Sequence, residues 1–182
     1  MSVPEKHHDL AKREKIDAKF AVITVSTSRY KKMMSGSHIE DISGDLAQKI
    51  IEESGYKISY RDIIADNKKQ ILDAIEKAIK KSCNIMIFIG GTGISRTDIT
   101  TDTLENIFER KIPGFGEIFR YLSYSEIGSA AILSRATAGI YKTTIIFALP
   151  GSPNAVSLAL KKLIIPEIKH MLYLAFYKDK NM

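Results

Sequence analysis

The chain has 182 residues, a hydrophobic content of 45% and a formal net charge of +6. This length suits one domain with a sizeable core, and the apolar stretches are too short for a signal peptide or a membrane-spanning helix, so we expect a cytoplasmic protein without a membrane partner. The lysines are scattered along the chain, which argues against a nucleic-acid partner. The single cysteine, Cys83, excludes an internal disulfide and a cysteine-based zinc site.

Strand and helix patterns alternate from the first apolar segment onward. A strand rich in β-branched residues is predicted from Phe20 to Ser26, followed by a polar loop from Thr27 to Ser43 and a helix that ends near Gly55. A second strand is predicted from Tyr56 to Ile64, and Asp66 stands at the N-cap position of the next helix. The order strand, loop, helix therefore repeats.

The third predicted strand, Ile85 to Ile89, runs directly into the glycine turn Gly90-Gly-Thr-Gly93. Thr101 or Asp102 can open the helix that follows. Pro113-Gly-Phe-Gly116 is expected to break the helical pattern ahead of a further helical segment.

The last predicted strand, Thr144 to Leu149, ends in the turn Pro150-Gly-Ser-Pro153. A long helix follows, which Pro166 is expected to end or kink. Strands that alternate with helices indicate an α/β fold with a mostly parallel sheet. The predicted organisation is a polar N-terminal arm, one α/β domain and a short C-terminal tail, over residues 1–18, 19–176 and 177–182.

Polar or glycine residues follow the predicted strands at the points where ligands bind to parallel sheets, beyond the carboxyl ends of the strands. They are Ser26, Asp66, Gly90 to Gly93 with Asp98, and Pro150 to Pro153. We expect these segments to meet at one edge of the sheet. The residues themselves leave two interpretations of the glycine turn open: a phosphate site built from backbone N–H groups, or a tight connection. The turn matches neither the P-loop nor the dinucleotide fingerprint.

Asp66 and Asp98 are the candidate acids of the predicted site. Two carboxylates over the strand ends suit Mg²⁺, which combines one or two carboxylates with phosphate oxygens and water. A helix-capping role is the alternative, especially for Asp66. Arg135 suits either a phosphate contact or a surface ion pair, and Pro150 to Pro153 either a rigid turn or an anion site.

Five segments in a fixed order carry a family resemblance. The chain resembles the molybdenum-cofactor biosynthesis family that contains the MoaB and Mog proteins and the G domain of gephyrin, over about Phe20 to Leu174. The segments are Gly90-Gly-Thr-Gly93, Asp98-Ile-Thr100, Pro113-Gly-Phe-Gly-Glu117, Ala131-Ile-Leu-Ser-Arg135 and Leu149-Pro-Gly-Ser-Pro-Asn-Ala-Val156.

This resemblance implies a three-layer α/β/α sandwich of the molybdopterin-binding-domain type that assembles as a trimer or a hexamer. It also implies a molybdopterin adenylyltransferase, in which the terminal phosphate of molybdopterin attacks the α-phosphorus of Mg-ATP. The products are adenylylated molybdopterin and pyrophosphate. A hand-off to a separate metal-insertion protein is then expected.

The resemblance also assigns roles to individual residues. Asp66 and Asp98 match the essential acids of the family and are the expected Mg²⁺ ligands. The nucleotide phosphates are expected at Gly90, Gly91, Thr92 and Gly93. Molybdopterin is expected at Ser26, Ser43, Gly44, Pro150, Gly151, Ser152 and Pro153.

Two other functions remain open at the level of sequence. One is a protein of the same fold that binds molybdopterin without adenylylating it, which the presence of both Asp66 and Asp98 argues against. The other is a scaffolding trimer, for which the chain has neither a second domain nor a linker. The pair Thr27-Ser28 departs from the many relatives that carry an aspartate or asparagine beside the serine.

Overall fold

The computed structural model describes residues 16–177. Its first half contains the strands β1 (Lys19–Val25), β2 (Lys57–Ile64) and β3 (Ile85–Ile89), and the helices α1 (Thr27–Met34), α2 (Ile42–Glu53) and α3 (Lys68–Lys80). Its second half contains α4 (Thr100–Glu105), β4 (Arg110–Lys111), α5 (Pro113–Ile127), a 3₁₀ helix (Gly128–Leu133), β5 (Thr137–Tyr141) and β6 (Thr144–Leu149). The chain then continues through α6 (Pro153–Leu158), a π-helical segment (Ala159–Ile164), α7 (Ile165–Leu172) and a second π-helical segment (Tyr173–Tyr177).

The six strands form one sheet in the order β2-β1-β3-β6-β5-β4. The four strands β2, β1, β3 and β6 are parallel, while β5 pairs antiparallel with β6 and β4 antiparallel with β5. This arrangement confirms the prediction of a mostly parallel sheet in an α/β fold.

Side chains of the central strands divide between two helical layers, because successive residues of a strand point to opposite faces. Ile85, Ile87 and Ile89 of β3 join the core cluster that contains residues of α2, α5, α6 and α7. Met86 and Phe88 join the cluster that contains residues of α3 and α4. Burial on both faces explains why β3 is a continuous apolar run, and it gives the predicted three-layer sandwich.

Two parts of the sequence prediction are wrong, because the elements concerned carry little of the sequence pattern that marks a helix or a strand. The stretch predicted as a loop after β1 contains α1, all eight residues of which stay at least partly exposed. It therefore lacks the apolar periodicity that marks a helix. The strands β4 and β5 were not predicted, because β4 has two residues and β5 contains Gly139.

Pro113 and Pro166 lie in the first turns of helices, and the segment Pro113 to Gly116, which was predicted to break the helical pattern, is itself helical. Pro113 begins α5, where its missing N–H is not needed for a helical hydrogen bond. Helical structure continues beyond Pro166, which lies in the first turn of α7 directly after the π-helical segment.

Ile16 and Ala18, at the end of the predicted N-terminal arm, are buried in the core. Residues 1–15 of the predicted arm and residues 178–182 of the predicted tail lie outside the described residues.

Within residues 16–177, no helix is both long and apolar enough to cross a membrane.

Candidate active site

The glycine turn leaves β3 at the carboxyl edge of the parallel strands. The amide of Gly90 donates to the carbonyl of Leu149 at the end of β6, at 2.9 Å. Gly90 has a φ of +112°, and a Cβ at this position would lie 2.3 Å from the carbonyl oxygen of Val25. A side chain would therefore collide with β1, so the bare backbone is required here.

Asp66 follows β2 and places its carboxylate against this turn. A Cβ on Gly91, where φ is +66°, would lie 2.4 Å from Oδ2 of Asp66. The other oxygen, Oδ1, accepts from the amide of Ile99 and from the hydroxyl of Thr100, both at 3.4 Å. The amide of Asp66 donates to the Thr27 hydroxyl at 3.1 Å, which joins the ends of β1 and β2.

Helix capping does not explain Asp66. The cap of α3 is Asn67, whose side chain accepts from the amide of Gln70 at 2.9 Å. The capping interpretation, which the sequence left open, is therefore wrong. The carboxylate of Asp66 is directed toward the glycine turn and the start of α4.

Burial raises the pKa of the Asp66 carboxyl above its ordinary value, and the negative charge of Asp98 raises it further. The amide of Ile99, the hydroxyl of Thr100 and the positive charge of Arg135 act in the opposite direction. Asp66 is thus an acid whose ionised form is held by three neighbouring groups against the cost of desolvation.

Asp98 lies on the other side of the same turn. Its Oδ2 accepts from the amide of Ser95 at 3.1 Å, and a Cβ on Gly93 would lie 2.7 Å from that oxygen. The N-cap residue of α4 is Ile99, so Asp98 is not the cap of that helix. Both predicted acids therefore meet the glycine turn, Asp66 at Gly91 and Asp98 at Gly93.

A cleft of about 530 Å³ opens beside the turn, with one polar and one apolar wall. Asp98 and the turn Pro150-Gly-Ser152 contribute to the polar wall, along with Gly90 to Gly93. The apolar wall consists of Phe119, Ile127, Ala130, Ala131 and Leu133. Asp66 lies outside this lining, next to Gly91.

The other predicted contact residues occupy different places. Ser26 caps α1, with its side chain accepting from the amide of Arg29. Ser43 is buried and donates to the carbonyl of Gly151 at 2.7 Å, so it supports the Pro150 turn from behind. Gly44 is packed against the buried pair Thr24 and Asp41. Ser43 and Gly44 are not part of the cleft lining, and Pro153 is the first residue of α6.

Several residues at the site were not predicted from the sequence. Thr100, which bonds Asp66, was given no role of its own in the predicted site, and Phe119 and Ser123 reach the cleft from the middle of α5. A sequence signal for them is weak, because each is also an ordinary buried residue of a helix. Arg135 forms an ion pair with Asp102 at 2.7 Å and also contacts the glycine turn, so it is more than the surface pair considered from the sequence.

The donor set suits a cation that takes few protein ligands. Among residues 16–177, no group of three or more histidine, cysteine or acidic side chains could hold a metal. Mg²⁺ usually binds through one or two carboxylates together with substrate phosphates. Asp66 and Asp98, two carboxylates beside the glycine turn, match that pattern in number.

Comparison with protein families gives an independent view of the chain. A family profile described as "Probable molybdopterin binding domain" matches residues 21–170. The matched region includes β1 from Ala21 onward, the other five strands in full and both acids of the site.

Similar proteins come from both archaea and bacteria. The chain is 44% identical over 155 residues to a "Probable molybdopterin adenylyltransferase" of Methanocaldococcus jannaschii, and the aligned region covers 85% of this chain and 91% of that protein. It is 43% identical over 157 residues to "Molybdenum cofactor biosynthesis protein B" of Bacillus subtilis, covering 83% of this chain and 86% of that protein. The solved structure of the "tungsten cofactor synthesizing protein MoaB" of Pyrococcus furiosus is 39% identical, has a TM-score of 0.79 and covers 89% of this chain and 99% of its own.

Proposed function

The chain belongs to the molybdopterin binding domain family, and on this premise we propose that it is a molybdopterin adenylyltransferase. The substrates are ATP and molybdopterin, and the products are adenylylated molybdopterin and pyrophosphate. One observation carries the proposal: the carboxylates of Asp66 and Asp98 both contact the glycine turn at Gly91 and Gly93. The name of the archaeal relative, at 44% identity, supports the same reaction.

The reaction requires positioning and charge stabilisation more than proton transfer. An oxygen of the molybdopterin phosphate forms a bond to the α-phosphorus of ATP, and the bond between that phosphorus and the bridging oxygen to the β-phosphate breaks. The electron pair leaves with pyrophosphate. Because the nucleophile is already an anion, a general base is not needed, and the backbone N–H groups of Gly91 to Gly93 are suited to the phosphate charge.

Asp66 and Asp98 are the residues that we assign to Mg²⁺. When bound, the ion would neutralise charge on the phosphate oxygens during transfer. One carboxylate lies at Gly91 and the other at Gly93, so a cation held by them would lie beside a phosphate bound on the turn. The elevated pKa of Asp66 is consistent with a carboxylate that is stabilised further when a cation binds.

The cleft beside the turn suits a ligand with an apolar ring system and a phosphate. We assign molybdopterin to this cleft, with Pro150, Gly151 and Ser152 at its polar wall. Ser43 acts on that wall through its hydrogen bond to Gly151. The assignments of Ser26, Gly44 and Pro153 rest on the family pattern, since these residues lie outside the cleft lining.

We further propose that the protein is a homo-oligomer, a trimer or a hexamer. Large apolar side chains are exposed along α5 and the 3₁₀ helix, and such patches are typical of protein interfaces. They are Ile118, Tyr121, Tyr124, Ile127, Ile132 and Leu133. A reaction that consumes ATP favours a cytoplasmic location, with the product passed to a metal-insertion protein.

The decisive experiment measures adenylyl transfer by the purified protein with molybdopterin, ATP and Mg²⁺. We expect pyrophosphate release together with adenylylated product, and we expect Asp66→Ala and Asp98→Ala each to lower kcat by about 100-fold or more, as is usual when a group that stabilises transition-state charge is removed. Asp73→Ala, which changes an exposed aspartate of α3, is the matched control and keeps full activity. Unchanged turnover in both site variants contradicts the assignment.

The second candidate function is a molybdopterin-binding protein without catalytic activity. The same incubation separates the two candidates. Tight molybdopterin binding without pyrophosphate release, from a folded wild-type protein, would favour the binding protein.

A further inference from the structure

Arg135 is the most highly bonded side chain beside the candidate active site. It lies between the 3₁₀ helix and β5, and its three guanidinium nitrogens each donate to a protein oxygen. Nε donates to the carbonyl of Gly93 at 2.7 Å, Nη2 to the carbonyl of Asp98, and Nη1 to Oδ1 of Asp102 at 2.7 Å. The backbone amide of Arg135 also donates to the carbonyl of Thr92, at 2.9 Å.

These contacts join the two ends of an exposed segment. Residues 94–97, between Gly93 and Asp98, are exposed, and the side chain of Ile94 retains 70% of its accessible surface. Apolar packing therefore contributes little to holding this segment. A planar guanidinium with a rigid arrangement of donors can set the distance between two carbonyl groups, which a lysine ammonium cannot do in the same way.

We propose that Arg135 is a positioning residue for adenylyl transfer, which holds the glycine turn and Asp98 at a set separation without itself binding a substrate. This inference rests on the proposed function, since Gly93 and Asp98 matter to the reaction only if that site transfers AMP. The contacts with three main-chain oxygens and one carboxylate distinguish Arg135 from an ordinary surface arginine.

The neighbouring Arg120 provides a matched control. Its Nη1 donates to the carbonyls of Ser134 and Ala136, at 3.5 and 3.2 Å, so it also braces the chain around Arg135. It has no recorded hydrogen bond to the glycine turn or to Asp98 in the described part of the chain. Arg120→Lys therefore tests the structural effect of losing an arginine beside the same segment.

The test compares Arg135→Lys with Arg120→Lys in steady-state assays with ATP and molybdopterin. Lysine keeps the positive charge and loses the simultaneous contacts to Gly93 and Asp98. We expect Arg135→Lys to lower kcat by about 10-fold or more while both KM values change by less than about 3-fold, because the loss falls on the transition state. Arg120→Lys is expected to keep kcat within about 2-fold.

A second pair of variants separates geometry from charge and guards against a folding failure. Asp102→Asn removes the ionic partner of Nη1 while the bonds to Gly93 and Asp98 remain, and we expect a kcat loss of only a few-fold. Arg135→Gln removes the charge and the contacts to Gly93 and Asp98 together, and we expect it to lower kcat at least as much as Arg135→Lys does.

Two results would overturn the inference. One is a wild-type kcat in Arg135→Lys, or a loss equal to that of Arg120→Lys. The other is a raised KM for ATP with unchanged kcat, which would indicate direct substrate binding.

Amide hydrogen exchange over residues 93–98 tests the same inference independently of activity. We expect faster exchange in Arg135→Lys and unchanged exchange in Arg120→Lys. If the wild-type protein shows no adenylyl transfer, the proposed function fails, and equal exchange in the two variants would still refute the positioning role.

Discussion

The Asp66 carboxyl lies half-buried between the glycine turn and the start of α4, and its surroundings set the pH at which it ionises. Burial raises its pKa above the ordinary value of 3.8. The folded protein therefore binds this proton more tightly than the unfolded chain does. At pH values above the folded-state pKa, the ionised Asp66 carboxyl lowers the free energy of unfolding. This cost disappears at pH values below the ordinary aspartate pKa, where Asp66 is protonated in both the folded and the unfolded protein.

Removing the Thr100 hydroxyl is expected to change the pKa of Asp66. Thr100→Val removes a donor to Oδ1 of Asp66, so the pKa of Asp66 rises further. If the ionised carboxylate is required for transfer, the acid limb of the kcat/KM profile shifts to higher pH in this variant. The measurement is a pH–rate profile. Thr97→Val is the control, since the Thr97 hydroxyl contacts Ser95, and an unmoved acid limb in Thr100→Val would contradict the requirement.

Sequence reasoning finds those side chains whose role follows from their place at a strand end. Asp66 and Asp98 were predicted in this way, because the carboxyl ends of parallel strands share one edge. The side-chain contacts of Thr100 and Arg135 could not be predicted, since they bond residues 33 to 42 positions away in the chain. Such contacts depend on how loops approach each other after the sheet has formed.

Gly44 of α2 is packed against the side chain of Asp41 and against Thr24 of β1. A Cβ at this position would lie 2.0 Å from Oδ2 of Asp41 and 2.8 Å from the hydroxyl of Thr24. Asp41 is buried, accepts from Thr24 at 2.8 Å and pairs with Arg61 at 3.1 Å. The carboxylate therefore has little freedom to move away from an added methyl group.

We expect Gly44→Ala to destabilise the protein by about 1–3 kcal/mol, the usual cost of overpacking a filled site, although alanine favours a helix over glycine. Thermal or urea unfolding measures the change. Gly114→Ala in the first turn of α5 is the control, because a Cβ there meets no atom within 4 Å in the described structure, and it is expected to be neutral or stabilising. Equal stability of the two variants would contradict the close packing of α2 on β1.

Elements with two buried faces were predicted best. The bounds of β3 and β6 agree with the prediction, since a strand covered on both sides is a continuous apolar run. Helix α1 was missed because its side chains stay exposed, and β5 because its residues carry no strong strand pattern. Burial produces the apolar sequence pattern, so helices and strands that bury few side chains are difficult to predict from sequence.

The apolar face of α5 and the 3₁₀ helix bears on the assembly of the whole molecule. Tyr121 is 76% exposed and Ile132 is 75% exposed, in a patch that also borders the apolar wall of the cleft through Ile127 and Leu133. Burial of this patch between copies would remove apolar surface from water, which is favourable. An assembly that buries it would also limit solvent access to the cleft.

We expect Tyr121→Glu to lower the molar mass of the assembly toward that of the 20.4 kDa monomer, measured by light scattering after size exclusion. A charge buried without a partner is costly, so the interface would dissociate. Leu174→Glu, at an exposed apolar residue near the end of the last helical segment, is the control and keeps the wild-type mass. A wild-type mass for Tyr121→Glu would place the interface elsewhere.

The hydrogen bond from the Gly90 amide to the Leu149 carbonyl has a consequence for biosynthesis. The turn after β3 is anchored by a strand translated some sixty residues later, and Arg135, which also contacts the turn, is likewise late in the sequence. A ribosome-bound chain that has exposed only the residues up to α4 therefore has both acids but no finished pocket. Substrate capture becomes possible only when nearly the entire polypeptide has emerged, so ligand affinity reports on completed synthesis and folding.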